Sequence, residues 1–331
     1  MILTYKVKHN QNLSVELEKG RQVAIFALKM KSRSSKDVKH IGLKSAMANQ
    51  ILKKYSSNKK LKKISSVKLT VPSQSIKFES GKIKIPCLKM ELDFNKDIEK
   101  INQIELDKEF AYISCTVKEK EKIETESWIG VDLNTTGHCC VASDPKSGKV
   151  LKLGKSANHT HKKYKNIRRK LQKKKGYKAV KTLKNKESRV VKDLNHKISH
   201  KIVKEAKEKK SGIVLEDLKD IRKTAKTNRK NRYALNSWSF YQLKTFIEYK
   251  AKLHGVPVVK IDPKYTSQQC SRCGLLGERK EKLFKCSCGH VANADVNASF
   301  VISYRHQGIL QSPVDRDIGE GHLACPTRIV A

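Results

Sequence analysis

No stretch of this 331-residue chain approaches the roughly 20 consecutive apolar residues that a membrane-spanning helix requires. Its longest apolar runs, such as Val23-Ala24-Ile25-Phe26-Ala27-Leu28, are the size of core segments. A spanning helix is therefore excluded, and no membrane partner is expected. A secretory signal is also missing, because Met1-Ile2-Leu3-Thr4-Tyr5-Lys6 brings in charge too early. The expected location is cytoplasmic, where disulfides are rare, so clustered members of the nine cysteines read first as metal ligands. Aromatic residues are few, at 6%, but a 38% hydrophobic share still provides a core, and the length predicts about two domains.

Acidic residues are scarce too. The 32 Asp+Glu face 72 Lys+Arg, leaving a formal net charge of +40. A field of this size draws the molecule to polyanions. The excess is uneven: residues 151–210 hold 23 Lys+Arg and 4 acids, a net +19. A merely solvated helical face would mix signs at helical spacing, so this segment predicts contact with nucleic acid. The stretch 222–232 adds six basic residues and no acid, and reads as a second basic element.

Periodicity divides the chain. In residues 1–126, alternating segments such as Val67 to Val71, Ile83 to Ile85 and Phe110 to Val117 predict a small antiparallel β-barrel. Helix-like spacing around Val23, Phe26, Met30, Ile41, Ile51 and Leu52 predicts a helical insertion at about 15–63, and Lys118 to Glu126 reads as a linker. Residues 127–305 alternate strands and helices: Trp128 to Leu133, His138 to Ser143, Val150 to Leu153, a helical stretch over 160–210, Gly212 to Glu216, a helix capped by Ser237 and carrying Trp238, and Val256 to Asp262. That order predicts an α/β domain with a mixed sheet. Residues 306–331 lack a core pattern and read as a disordered tail.

Cys270-Ser271-Arg272-Cys273 and Cys286-Ser287-Cys288 are two knuckles joined by a twelve-residue arm. Two close thiolate pairs fit a tetrahedral four-cysteine zinc site within a ribbon spanning 266–292. The second knuckle has one intervening residue rather than two, which leaves His290 as an alternative ligand. Such a site is closed and structural. The other cysteines, Cys87, Cys115, Cys139, Cys140 and Cys325, read as small buried hydrophobes.

Three acids stand out by position: Asp132 and Glu216 at the ends of buried-type strands, and Asp295 at the start of a helix. Each has an ordinary alternative. Asp295 suits a helix N-cap, and Asp217 competes with Glu216 from the opposite face of its strand. Three carboxylates converging at one sheet edge carry a repulsion that bound cations relieve.

The segments Gly130-Val131-Asp132-Leu133-Asn134, Gly212-Ile213-Val214-Leu215-Glu216-Asp217-Leu218, Tyr265 to Gly274, Cys286 to His290 and Ala294-Asp295-Val296-Asn297-Ala298 resemble the TnpB (OrfB) family of insertion-sequence proteins and the related compact type V CRISPR effectors. The resemblance implies an RNase H-like (RuvC) nuclease domain with a zinc ribbon inserted before its third acid, and a wedge-like domain ahead of it. It implies an RNA-guided endonuclease that binds a guide RNA from the transposon end and cuts double-stranded DNA beside a transposon-adjacent motif. Its catalytic carboxylates would be Asp132, Glu216 and Asp295, holding two Mg²⁺ or Mn²⁺ ions, with zinc on Cys270, Cys273, Cys286 and Cys288. The setting it implies is nucleoid-associated, in a prokaryotic, archaeal or viral host. Monomer and dimer are both compatible with the sequence. A guided DNA-binding regulator that does not cut is a second reading, which retention of all three acids disfavours. A transposase acting directly on DNA ends is a third, without the tyrosine and histidine-pair site it would need.

Overall fold

The computed structural model describes residues 1–313 except 59, 60, 62, 135, 136 and 219–239, and the side chains of Lys184 and Phe240. The basic stretch 222–232, the cap Ser237, Trp238, Cys325 and the tail from 314 lie outside the described residues. The chain divides into two units, Met1–Glu119 and Lys120–Ala331. This division falls before the 126 boundary expected from charge, because the linker belongs to the second unit. There, Ile123 donates its N–H to Gly255 O at 2.8 Å and Glu126 donates to Lys210 O at 3.0 Å.

In the first unit, β1 (Ile2–Lys8) is followed by α1 (Ser14–Met30) and α2 (Ser45–Ser56), then by β2 (Leu69–Pro72), β3 (Lys77–Glu79), β4 (Lys82–Ile85), β5 (Met90–Asp93), β6 (Lys100–Leu106) and β7 (Phe110–Thr116). Instead of one closed barrel, the described strands form two antiparallel sheets, β1-β7-β6-β2 and β3-β4-β5. Pro72 ends β2 without an N–H to extend the ladder, and a short 3-10 turn at Ser73–Ser75 redirects the chain. Both sheets and both helices share one core. Val23 and Ala27 of α1 and Met47, Ile51 and Leu52 of α2 join Leu69, Val71, Ile83, Ile104 and Ile113 in it.

The second unit opens with β8 (Ser127–Leu133), β9 (Cys140–Ser143) and β10 (Val150–Leu153). The helices α3 (Lys155–Lys173) and α4 (Tyr177–Glu208) follow, then β11 (Ser211–Glu216), α5 (Phe240–His254) and β12 (Val258–Ile261). The chain continues through β13 (Glu278–Lys280), β14 (Leu283–Lys285) and β15 (Val291–Asn293) to α6 (Ala294–His306). The main sheet runs β10-β9-β8-β11-β12. Its first two ladders are antiparallel and its last two parallel, so the sheet is mixed. Buried on both faces, β8 and β11 read as near-continuous apolar runs. Order extends past 305: α6 runs to His306, Leu310 is buried, and Gln311 O accepts from Gln269 Nε2 at 2.7 Å.

The pairing of α6 with β8 rests on small residues. A Cβ on Gly130 would lie 2.0 Å from Ser299 O and 2.7 Å from Ser303 N, so only glycine lets the helix backbone approach this closely. Ser303 Oγ donates to Trp128 O at 2.5 Å, and the Ser299 and Ser143 hydroxyls lie 2.5 Å apart. Reading outward along β8, Trp128 meets Ser303 and Gly130 meets Ser299. The helix therefore runs antiparallel to the strand, and one turn earlier it brings Asp295 toward Asp132.

Helices α3 and α4 carry the basic segment. Their seam contains His161, whose Nδ1 lies 2.8 Å from Glu187 Oε1, and Arg168 also pairs with Glu187. Glu205, near the end of α4, is held by Lys149 at 2.8 Å and Lys209 at 3.3 Å. Two of the segment's four acids are thus neutralised inside the fold, and the exposed charge is more one-sided than composition implies.

Candidate functional site

Strand register brings the first two acids together. In the parallel ladder of β8 and β11, Leu215 pairs with Val131. Asp132 and Glu216, each one residue further on, therefore occupy matching positions at neighbouring strand ends, with side chains toward the same face. Asp295 enters from the first turn of α6. All three are buried, at 6%, 7% and 3% exposure. The N-cap of α6 is Asn293, whose side-chain oxygen accepts from the N–H groups of Asp295 and Val296. Asp295 is therefore not the cap, and its charge is felt at Asp132. Asp217 diverges as strand alternation requires and pairs with Lys244 at 2.9 Å.

Each acid is held by a neighbour. Asn134 Nδ2 donates to Asp132 Oδ2 at 2.7 Å. Thr266 Oγ1 donates to Glu216 Oε1 at 2.5 Å. Arg279 Nη2 lies 3.0 Å from Asp295 Oδ1 and Lys282 Nζ 2.5 Å from Asp295 Oδ2. Asn134 and Thr266 sit inside the segments that carry the family resemblance. Arg279 and Lys282 give no sequence signal, being two cations among many on a basic arm.

Burial pushes the Asp132 carboxyl up to about 6. The Asn134 bond opposes the shift, and the charge of Asp295 adds to it. Burial, and after it the charge of Asp132, pushes Glu216 up to about 8. The folded chain thus binds these protons more tightly than the unfolded chain, so the stability they lend is full below about pH 4 and lost as pH rises through 6 and then 8. With zinc supplied and no other divalent cation present, Asp132→Asn is expected to melt about 5 °C above the wild type at pH 8, with the gap narrowing through pH 5 and closing below about pH 4. Thermal scans across this range check it, and equal melting at pH 8 would refute the cost of burying this carboxylate in its charged form. A dry carboxylate pair of this kind suits a divalent cation, which would return the proton cost.

The four cysteines form a separate set. The sulfurs of Cys270, Cys273, Cys286 and Cys288 lie within 4.8 Å of one another, and among the described residues no other group of His, Cys, Asp or Glu gathers so closely. Cys270 Sγ is 3.8 Å from Cys288 Sγ, and Cys273 Sγ is 3.5 Å from Cys286 Sγ. A tetrahedron with arms of about 2.3 Å has edges of about 3.8 Å, so the set fits zinc. The knuckles turn at Gly274 and Gly289, both at positive φ. His290 stands outside this set. Its carbonyl accepts from Cys286 N at 3.0 Å, and its ring lies 6.3 Å from that of Phe284. The three acids do not gather within that distance, and both oxygens of Asp295 are paired with ribbon cations.

Residues 240–302 match the family model described as "Cas12f1-like, TNB domain". A TnpB-like protein of Methanocaldococcus jannaschii is 37% identical over 183 residues, 51% of this chain and 66% of that protein. A CRISPR-associated endodeoxyribonuclease Cas12f1 of Sulfoacidibacillus thermotolerans is 46% identical over 110 residues, 32% of this chain and 25% of that protein. The chain thus spans just under two thirds of the first relative and a quarter of the second. Among solved structures, a Cas12f1 in complex with sgRNA and target DNA superposes with a TM-score of 0.56 at 17% identity, over 87% of this chain and 81% of that one. The likeness extends beyond the ribbon to the fold of most of the chain.

Proposed function

Because the chain belongs to the TnpB family, related to the compact type V CRISPR effectors, we propose that it is an RNA-guided endonuclease that cuts double-stranded DNA. What supports this reading is that Asp132 and Glu216 hold matching ends of β8 and β11 and that Asp295, in the first turn of α6, acts electrostatically on Asp132, which we read as an RuvC-type, RNase H-like site. In this reading the three carboxylates are the catalytic ligands of two Mg²⁺ or Mn²⁺ ions, which when bound activate the attacking water and stabilise the leaving oxygen.

The chain's own groups prepare that site. Asn134 fixes the orientation of Asp132, and Thr266 fixes that of Glu216. Zinc on the four cysteines holds the ribbon, and the ribbon positions Thr266, Arg279 and Lys282 around the acids. The basic face of α3 and α4 suits a guide RNA and the target DNA, held through their backbones while base pairing carries the sequence. Next to an RNA-derived guide, the protein reads only a short adjacent DNA motif in this scheme.

The test is purification with co-transcribed RNA, sequencing of that RNA, and incubation with plasmids bearing or lacking a match. Recovery of a discrete RNA and cleavage of the matching plasmid only with Mg²⁺ or Mn²⁺ support the reading. Cutting without RNA, or RNA-guided binding without cutting under any metal, rejects it.

A further inference from the structure

Lys282 and Arg279 hold the same buried carboxylate in different ways. Arg279 is fixed on its hairpin, where its Nε donates to Glu281 O at 3.2 Å while Nη2 reaches Asp295. Lys282 reaches Asp295 through Nζ without a second side-chain brace of that kind, and its carbonyl accepts from Ala294 N at 2.9 Å. Its side chain is one-third exposed. It passes Gly137, where a Cβ would lie 3.3 Å from Lys282 Cε and 3.7 Å from Nζ. Its ammonium therefore stands beside Asp295, between Gly137 and the start of α6. An ammonium is a compact charge on a flexible stem, able to exchange a carboxylate for another anion without disturbing the backbone that carries it.

Resting on the metal-site reading above, we infer that Lys282 is a resident counter-ion of the carboxylate site: it occupies Asp295 until a divalent cation takes that oxygen, and a phosphate of bound nucleic acid is its alternative partner. Two consequences follow from charge alone. Lys282 competes with the cation for Asp295 and lowers metal affinity while the site holds no nucleic acid. A phosphate that draws Lys282 away removes the competition, so metal and substrate strengthen each other's binding by one common factor. Lys282 is then a positioning residue that ties metal loading to the arrival of the strand to be cut. Free protein in a cell rich in divalent ions would load its nuclease site only weakly.

The experiment measures Mn²⁺ binding to the full-length protein with its copurified RNA and zinc retained, by the EPR signal of free Mn²⁺. Each variant is titrated alone and with a matching duplex made uncleavable by phosphorothioate linkages. The component absent from Asp132→Asn is taken as the carboxylate site. In the wild type the duplex is expected to tighten that component about tenfold. Lys282→Gln is expected to bind Mn²⁺ about tenfold more tightly than the wild type without duplex, and to gain less than about threefold from it. Lys282→Arg, which keeps the charge, is expected to behave as the wild type does. Equal Mn²⁺ affinity in Lys282→Gln and wild type, or weaker affinity in the variant, overturns the inference while leaving the metal site intact. Absence of any Asp132-dependent Mn²⁺ binding in the wild type overturns the metal-site reading and the inference together. Melting curves for each variant separate lost binding from lost folding.

Discussion

Asp132→Ala is expected to reduce cleavage of a matching plasmid by about a thousandfold or more while guide-dependent target binding survives. The size of the effect follows from where the carboxylate stands. Asp132 faces Glu216 across the parallel ladder and Asp295 across the α6 contact, so it is the one acid adjacent to both others. Removing it takes a ligand from both halves of the cluster. Binding should survive because Asp132 is a buried anion, 6% exposed, and its removal takes no cation from α3 or α4. Deleting a buried anion does not reduce that positive field. The measurement is a plasmid nicking and linearisation assay beside a gel-shift assay at the same salt, since affinity for nucleic acid has no meaning without it. Combining Asp132→Ala with Glu216→Gln should cost little more than either alone, as expected of residues that act as one unit. Cutting within about tenfold of the wild type would remove the three carboxylates from the chemistry.

Strand ends were legible in the sequence because buried parallel strands are written as apolar runs, and Ile129 to Leu133 and Ile213 to Glu216 are such runs. The acids that close them were visible for the same reason, as polar residues at the edge of an apolar word. The cysteine pairs were legible because ligand sets for a tetrahedral ion are written in local spacing, and the four sulfurs do gather. What could not be read depended on contacts between distant segments. The Gly130, Ser299 and Ser303 seam decides where α6 lies, yet small residues carry no periodic signal of their own. Asn293 rather than Asp295 caps α6, a choice made by one residue of register that composition does not fix. Alternation in the first unit predicted strands correctly, but whether strands close into a barrel depends on edge pairing, and Pro72 ends one such edge. The acids of the basic segment looked like ordinary surface charges, yet Glu187 is 6% exposed in a pocket built by His161 and Arg168.

Cys270→Ser is expected to lower bound zinc from about one equivalent to near none, and to cost about a hundredfold in cleavage, though Cys270 is not among the acids. The ribbon would have little else to hold it together if its zinc were lost, because its core is Cys270, Phe284 and Ala294, with Cys273 and Cys286 packed against them. Its loss spreads by named bonds. Asn297 Oδ1 accepts from Ser271 N at 2.9 Å, and Asn297 Nδ2 donates to Gln269 O at 2.7 Å, so α6 is clamped to the first knuckle within the same helical turn as Asp295. Arg305 Nε reaches Gln269 Oε1 at 2.7 Å and carries the clamp to the far end of the helix. Thr266, which orients Glu216, lies just before the same knuckle, and Arg279 and Lys282 lie on the arm between the two. The core of the main sheet contains none of the ribbon's residues and should remain folded. Metal analysis, limited proteolysis and cleavage rates on one preparation test the chain of effects: zinc lost, new cuts confined to 266–292, and slowed cleavage. His290→Ala, by contrast, should retain its zinc, because His290 lies outside the four-sulfur set. A zinc-free Cys270→Ser protein that cleaves at the wild-type rate would show that the ribbon does not position the acids, and zinc loss in His290→Ala would show that the fourth ligand is not Cys288.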